Sequence, residues 1–269
     1  MRFSLACTMI VVGVQLCHGA QGPETLLSQD FRQGKFDERK LKYVNRNHWT
    51  EIVPEPGGLR IAFAADKPDA PLKGLEWQKA LEGDFEVTMG YEVLNAEKPP
   101  SGKASELFIW LFFWDEGMGL KETVTLSRSV RPGTGDQFSI YHGKGRDDDF
   151  KVQMKTFVVK PAQARVGKLR LKRTGATVSY FVAEAGDKEF TMLAEEPLTT
   201  DDVRVVQVAA ANGGTLHPYE VRILDLEIKG RKAVPAPRSS TGWIWIAALL
   251  GVGVGVAAFL WWRWKWKEE

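Results

Sequence analysis

Apolar residues recur at every second position along much of this chain. Phe85, Val87, Met89, Tyr91 and Val93 alternate with Glu86, Thr88, Gly90 and Glu92, the signature of a strand with one buried and one wetted face. Residues 107–114 depart from this rule because all eight positions are apolar. Leu107, Ile109, Leu111 and Phe113 then face one way, and Phe108, Trp110, Phe112 and Trp114 the other. Such a strand is expected to be covered on both faces, as in the middle of a sandwich, which makes Trp110 and Trp114 packing residues. Further short strands are expected over residues 123–126, 137–141, 151–159, 168–173, 177–184, 189–194, 203–210 and 220–228. Arg173-Thr174-Gly175-Ala176 and Ala185-Gly186-Asp187-Lys188 read as hairpin turns, since glycine takes positive φ without steric cost. No ten-residue stretch of the central region has a helical period, and at most one turn of helix is expected near Asp201. The expected fold is all-β, an antiparallel two-sheet sandwich.

Both ends of the chain are greasy in a different manner. Residues 243–262 carry no charge, and at about 1.5 Å rise per residue they span roughly 30 Å, the thickness of a bilayer core. Trp243 and Trp245 mark one edge and Trp261, Trp262, Trp264 and Trp266 the other, followed by Arg263, Lys265 and Lys267. Interfacial indoles and the positive-inside rule predict a C-terminal transmembrane helix with a cytoplasmic tail, residues 263–269. At the other end Arg2 precedes an apolar stretch over residues 3–16, too short to span but suited to export. A signal peptide over residues 1–20 is expected, with cleavage after Ala20; the rival, a lipoprotein signal ending at Cys17, lacks small residues before the cysteine. Between the ends lie an extracytoplasmic domain, residues 21–232, and a Pro- and Ser-containing stalk, residues 233–242.

Charge and cysteine content narrow the chemistry. The net charge of +2 comes from Arg2 and the tail, so the domain has no global field to attract nucleic acid. Cys7 and Cys17, the only cysteines, both fall in the expected signal, leaving no disulfide and no cysteine-ligated metal. His48, His142 and His217 are in no metal-binding repeat, and Asp147, Asp148 and Asp149 lack the alternate spacing of a calcium loop. No metal or cofactor is expected.

The order of "GDFEVT" (residues 83–88), "KLRLKRTG" (168–175) and "DLEIKG" (225–230) resembles the concanavalin A-like lectin/glucanase superfamily, and in particular a bacterial domain family of unknown function within it. The resemblance covers residues 30–230 and implies a jelly-roll framework; members of the superfamily include sugar-binding lectins and glycoside hydrolases. The E-x-D-x-E type of motif common in the glucanase branch is absent, so no catalytic residue is assigned. Asp115 and Glu116 are adjacent and point to opposite faces of a strand, while Asp225 and Glu227 have the right spacing but no third acid.

Aromatic rings stack on sugar faces, so the tryptophans in polar surroundings, Trp49 and Trp77, are the expected ligand-binding residues. Asn47 and His48 stand beside Trp49 as hydrogen-bonding partners. The function expected is noncatalytic recognition of a glycan or envelope component by a membrane-tethered domain. The alternatives are a glycoside-processing enzyme, drawing on Glu86, Glu92, Glu106 or Asp115, and a structural or assembly protein of the envelope. Ala247, Gly251 and Gly255 recur every fourth residue along the spanning helix, a small-residue face on which two such helices can approach as a homodimer. Replacing Gly251 and Gly255 with leucine is expected to abolish self-association in a membrane association assay; unchanged association would remove this face as the cause.

Overall fold

The computed structural model describes residues 23–44, 52–64, 72–77, 79–99, 104–115, 119–145, 153–213 and 217–235. The expected signal peptide, spanning helix, tail and all but the start of the stalk lie outside the described residues. Among the described residues no helix is long and apolar enough to cross a membrane. The secondary structure is all strand: β1 (Glu24–Asp30), β2 (Leu41–Val44), β3 (Ile52–Glu55), β4 (Gly58–Phe63), β5 (Lys73–Trp77), β6 (Lys79–Ala96), β7 (Ser105–Asp115), β8 (Gly119–Arg131), β9 (Gly135–Lys144), β10 (Gln153–Pro161), β11 (Val166–Thr174), β12 (Thr177–Glu184), β13 (Thr191–Pro197), β14 (Val203–Ala211) and β15 (Tyr219–Pro235). Every strand expected from the pattern is present. The first five were not anticipated, although Leu59, Ile61 and Phe63 of β4 alternate with Arg60 and Ala62 in the same period-two pattern. The chain bends at Asp201 without a turn of helix, and β15 runs on to Pro235, into the first residues of the expected stalk.

All pairings are antiparallel. One side of the molecule is built in the order β10-β9-β8-β7-β14-β5-β2, and the other in the order β3-β4-β15-β6-β11-β12-β13, with β1 also on β15. The two join where Val203 of β14 pairs with Leu81 of β6. The hairpins expected from glycine form as predicted, β11 to β12 through Gly175 (φ 59°) and β12 to β13 through Gly186 (φ 98°).

The alternating side chains of both sheets meet in one core. Leu107, Ile109, Leu111 and Phe113 of β7, all 0% exposed, share it with Val124 and Leu126 of β8, Val87 and Met89 of β6, Leu169 and Leu171 of β11, and Val221 and Ile223 of β15. Burial of each large side chain contributes about 1.5–3 kcal/mol, which makes this layer the main source of stability. The outer face of the β6 side is instead lined with ion pairs: Arg222 bridges Glu55 at 2.8 Å and Glu92 at 2.9 Å, and Arg60 bridges Glu55 and Glu220.

One expectation for β7 fails. Its second apolar face is not roofed by another layer: Phe108 is buried, Trp110 and Phe112 are half-buried, and Trp114 is 46% exposed. Two sheets bury two inner faces and leave two outer faces, so an all-apolar strand in either sheet must present half of its side chains outward. Leu111→Ala is therefore expected to destabilise the domain by about 2–5 kcal/mol, and Trp114→Ala by less than about 0.5 kcal/mol, in chemical denaturation.

Candidate functional site

The outward half of β7 lines a groove of about 570 Å³, bounded by Glu106, Phe108 and Trp110 of β7, Thr125 and Arg131 of β8, Tyr141 of β9, Ala211 of β14, and the adjoining Ala104, Pro132 and Gly213. Register puts these side chains together. Trp110 lies opposite Thr125 and Gln207, Thr125 opposite Tyr141, and Gln207 opposite Glu76. Directly paired residues of antiparallel strands project to the same face, so Glu76, Gln207, Trp110, Thr125 and Tyr141 form one row across five strands. Along β7 the rings form a second line: Phe108 meets Trp110 edge-on at 5.9 Å, and Trp110 meets Phe112 at 4.4 Å with 33° between planes. Under the groove end, Ser129 and Ser139 share a hydrogen bond at 3.0 Å and the Gln137 amide donates to Ser139.

The charged end of the groove is a compact cluster. Glu106 Oε1 accepts the Tyr141 hydroxyl at 2.5 Å and Arg131 Nη2 at 3.2 Å. The Arg131 guanidinium also lies 5.5 Å from the Tyr141 ring centroid. Burial pushes the Glu106 carboxyl up to about 7, the neighbouring Arg131 offsetting only part of that effect. A carboxyl so placed exchanges its proton near neutrality, a property of groups that hold or move protons in sites. The groove thus combines flat apolar surface, hydroxyls, and one titratable acid beside one guanidinium, the mixture expected of a polar ligand with apolar faces.

The residues expected from sequence fare differently. Trp77 is 2% exposed and belongs to the core, where it faces inward with Leu75 and Val206; a ring so covered offers no platform, and it is not brought to the groove. Asn47, His48 and Trp49 lie outside the described residues, as do Glu116 and Asp147–Asp149. Trp110, expected to be packing, is the ring at the centre of the groove. Of the acids considered, Glu106 lines it, whereas Glu86 is held near Arg170 and Lys229, and Glu92 by Arg222, on the opposite side of the molecule. Asp225 pairs with Arg32 at 2.9 Å and Glu227 with Lys229 at 2.7 Å. Arg131 and Tyr141 were not anticipated, because they join Glu106 only across three strands. Among the described residues no three His, Cys, Asp or Glu converge to hold a metal ion.

Residues 14–239 match the C domain of DUF1583, a family of proteins of unknown function. The chain belongs to the DUF1583 C-domain family. No curated protein matches this DUF1583 chain in sequence. Among solved structures it is similar to the GlcNAcα1-4Gal-releasing endo-β-galactosidase of Clostridium perfringens, with TM-score 0.56 and 12% identity over 78% of this chain and 64% of that one. It is similar as well to an endo-acting O-glycanase from human gut microbiota members, with TM-score 0.55 and 10% identity over 76% of this chain and 98% of that one. A legume lectin-like domain from Entamoeba histolytica aligns with TM-score 0.51 and 13% identity over 72% of this chain and 91% of that one. This DUF1583 C domain therefore has the lectin-like β-sandwich that the sequence resemblance implied, and it spans less than two thirds of the endo-β-galactosidase. What identities this low share is fold.

The raised Glu106 carboxyl fixes a pH dependence. Its proton is held more tightly in the folded chain than in the unfolded one, so its contribution to stability is complete below about 4.5, the ordinary value, and is lost as pH rises through about 7. Glu106→Gln removes that loss. In thermal melts from pH 4 to 9 the variant is expected to gain on the wild type as pH rises, by on the order of 3 kcal/mol once Glu106 is fully ionised; parallel curves would show that Glu106 is not perturbed.

Proposed function

We propose that this protein is a membrane-tethered, extracytoplasmic recognition module that binds a glycan in the β7 groove without cleaving it. The observation that carries this reading is the half-buried Trp110, set between Phe108 and Phe112 on the open face of the sheet, with Thr125, Tyr141, Glu106 and Arg131 around it. An indole face stacks on the apolar face of a pyranose, and the flanking hydroxyl, carboxylate and guanidinium groups match sugar hydroxyls. The named activities of the similar endo-glycanases and the lectin-like domain, all directed to carbohydrate or lectin-like, fit a ligand of the same class. The uncharged residues 243–262 and the basic residues that follow support the tethering part of this reading, with the domain on the far side of the membrane from the tail.

A glycoside-processing reading is favoured by one feature, the Glu106 carboxyl at about 7, which suits a general acid. Hydrolysis also needs a second carboxylate about 5–10 Å away across the glycosidic bond. Among the described residues lining the groove Glu106 is the only acid, and Glu76, two strands from Trp110 in the same row, accepts the Gln207 amide at 3.1 Å outside that lining, which is why recognition ranks first.

The test is glycan-array binding by the full-length protein in detergent. Wild type is expected to bind, and Trp110→Ala to weaken binding by about tenfold or more, equivalent to about 1.4 kcal/mol, through loss of the stacking face. Silence across a broad array by folded protein would shift the reading to envelope assembly. Reducing ends released by wild type and not by Glu106→Gln would shift it to hydrolysis.

A further inference from the structure

Hydrogen-bond donors and acceptors are unequally matched in the groove. Among the described residues, Arg131 donates to Glu106 through Nη2 alone. Its Nε and the Trp110 Nε1 are buried N–H groups with no acceptor. Glu106 Oε1 already serves two donors, Arg131 and Tyr141. Guanidinium and indole nitrogens donate and cannot accept, so a ligand group that meets Arg131, whose side chain lines the groove and is 28% exposed, is matched by acceptor oxygens. A sugar hydroxyl can accept, but it brings a proton that needs an acceptor of its own. A carboxylate or a sulfate ester brings none, and its bonds to a guanidinium are charge-assisted and can be bidentate.

The surroundings tolerate an anion. Arg131 on β8 and Tyr141 on β9 bind Glu106 directly, and Tyr219 on β15 lies within electrostatic reach of Glu106 as well as of Arg128 on β8 and Asp136 on β9. Arg128 is buried and spends its charge on Asp136, 3.0 Å away, whose side chain is 44% exposed. Lys98 caps the Gly133 carbonyl in the turn after Arg131 and adds a second cation near the rim. Glu106 is thus the group whose negative charge opposes an incoming anion, and it is also the group that occupies Arg131.

Resting on the glycan reading above, we propose that the Glu106–Arg131 end of the groove is a subsite for an acidic sugar, whose carboxylate or sulfate docks on Arg131 in exchange for its bond to Glu106. Trp110 stacks on the ring, and Arg131 is the specificity-determining residue that separates acidic from neutral glycans. The exchange is eased when Glu106 takes up a proton, because the neutral acid releases Arg131 and no longer repels the ligand. Burial places that proton uptake at about 7, so the subsite strengthens as the medium turns mildly acidic.

The test uses full-length protein in detergent with two matched probe pairs, polygalacturonate against its carboxyl-reduced form and a sulfated galactan against its desulfated form. The acidic member of one pair is expected to bind more tightly than its neutral partner, the pair identifying carboxylate or sulfate as the preferred anion. Its affinity is expected to rise about tenfold from pH 8 to pH 6, the range of one proton taken up near 7, while the neutral member stays flat. Glu106→Gln is expected to bind the acidic probe with no such pH dependence. Arg131→Gln is expected to lose the acidic-over-neutral ratio, and Arg131→Lys, which keeps the charge without the planar fork, to keep part of it; a thermal melt of each variant establishes that it is folded. Equal binding of acidic and neutral members, or a ratio unmoved by Arg131→Gln, overturns the subsite and leaves the groove reading standing. Absence of binding to any glycan overturns both.

Discussion

Strand β7 sets the terms for the rest of the domain. Its run of eight apolar residues cannot be satisfied by a two-sheet architecture, because a sheet has one inner and one outer face and successive side chains alternate between them. The inner half, Leu107, Ile109, Leu111 and Phe113, is fully covered, and the stability of the sandwich follows from it. The outer half is left as a line of rings beside the hydroxyls and charges of β8 and β9. The groove is thus the unburied counterpart of the same strand that builds the core, and its floor is sheet, with Ala104, Pro132 and Gly213 of the adjoining segments at its edge. That floor keeps Trp110, Thr125 and Tyr141 in one row without ordering costs when a ligand arrives.

The other outer face has the opposite character. There the arginines and glutamates of β4, β6, β11 and β15 pair across the strands, as in Arg222 with Glu55 and Glu92, and Arg170 with Glu86. Each half-exposed pair adds at most about 1 kcal/mol. Their collective effect is to cancel charge and wet that face, where Arg170 lies over the half-buried Phe190 ring at 3.7 Å, while the line of three contacting rings belongs to β7. The distribution also explains why acids that looked available in the sequence are not: Glu86, Glu92, Asp225 and Glu227 are occupied in this lattice of pairs, and Glu106 is the acid directed into the groove.

Much of the framework was legible beforehand. Ten strands from β6 to β15 follow from period-two alternation and glycine turns, since half-burial imprints itself on adjacent residues. Strands β1, β2, β3 and β5 were missed because each is short and its apolar residues show no sustained alternation, as where Leu26 and Leu27 of β1 and Ile52 and Val53 of β3 stand side by side; β4 carried a readable alternation that was overlooked. For the candidate site, the sequence pointed to tryptophans in polar company, and the structure sent Trp77 inward. Local polarity was a poor guide there because Trp77 is paired with Val206 and Leu41, residues distant in the chain whose inward direction it shares. Trp110 was judged a packing residue for the converse reason, its apolar neighbours being half inside and half outside.

The sequence by itself determined the class of fold, the place of the turns and the apolar terminal segments, because each of these is written in runs of consecutive residues. Only the tertiary structure decided which face of β7 stays open and which acid meets which base. Glu106, Arg131 and Tyr141 are separated by 25 and 35 residues along the chain from the first to each of the others. They come within hydrogen-bonding reach through the register of three strands, a long-range property that no local pattern encodes.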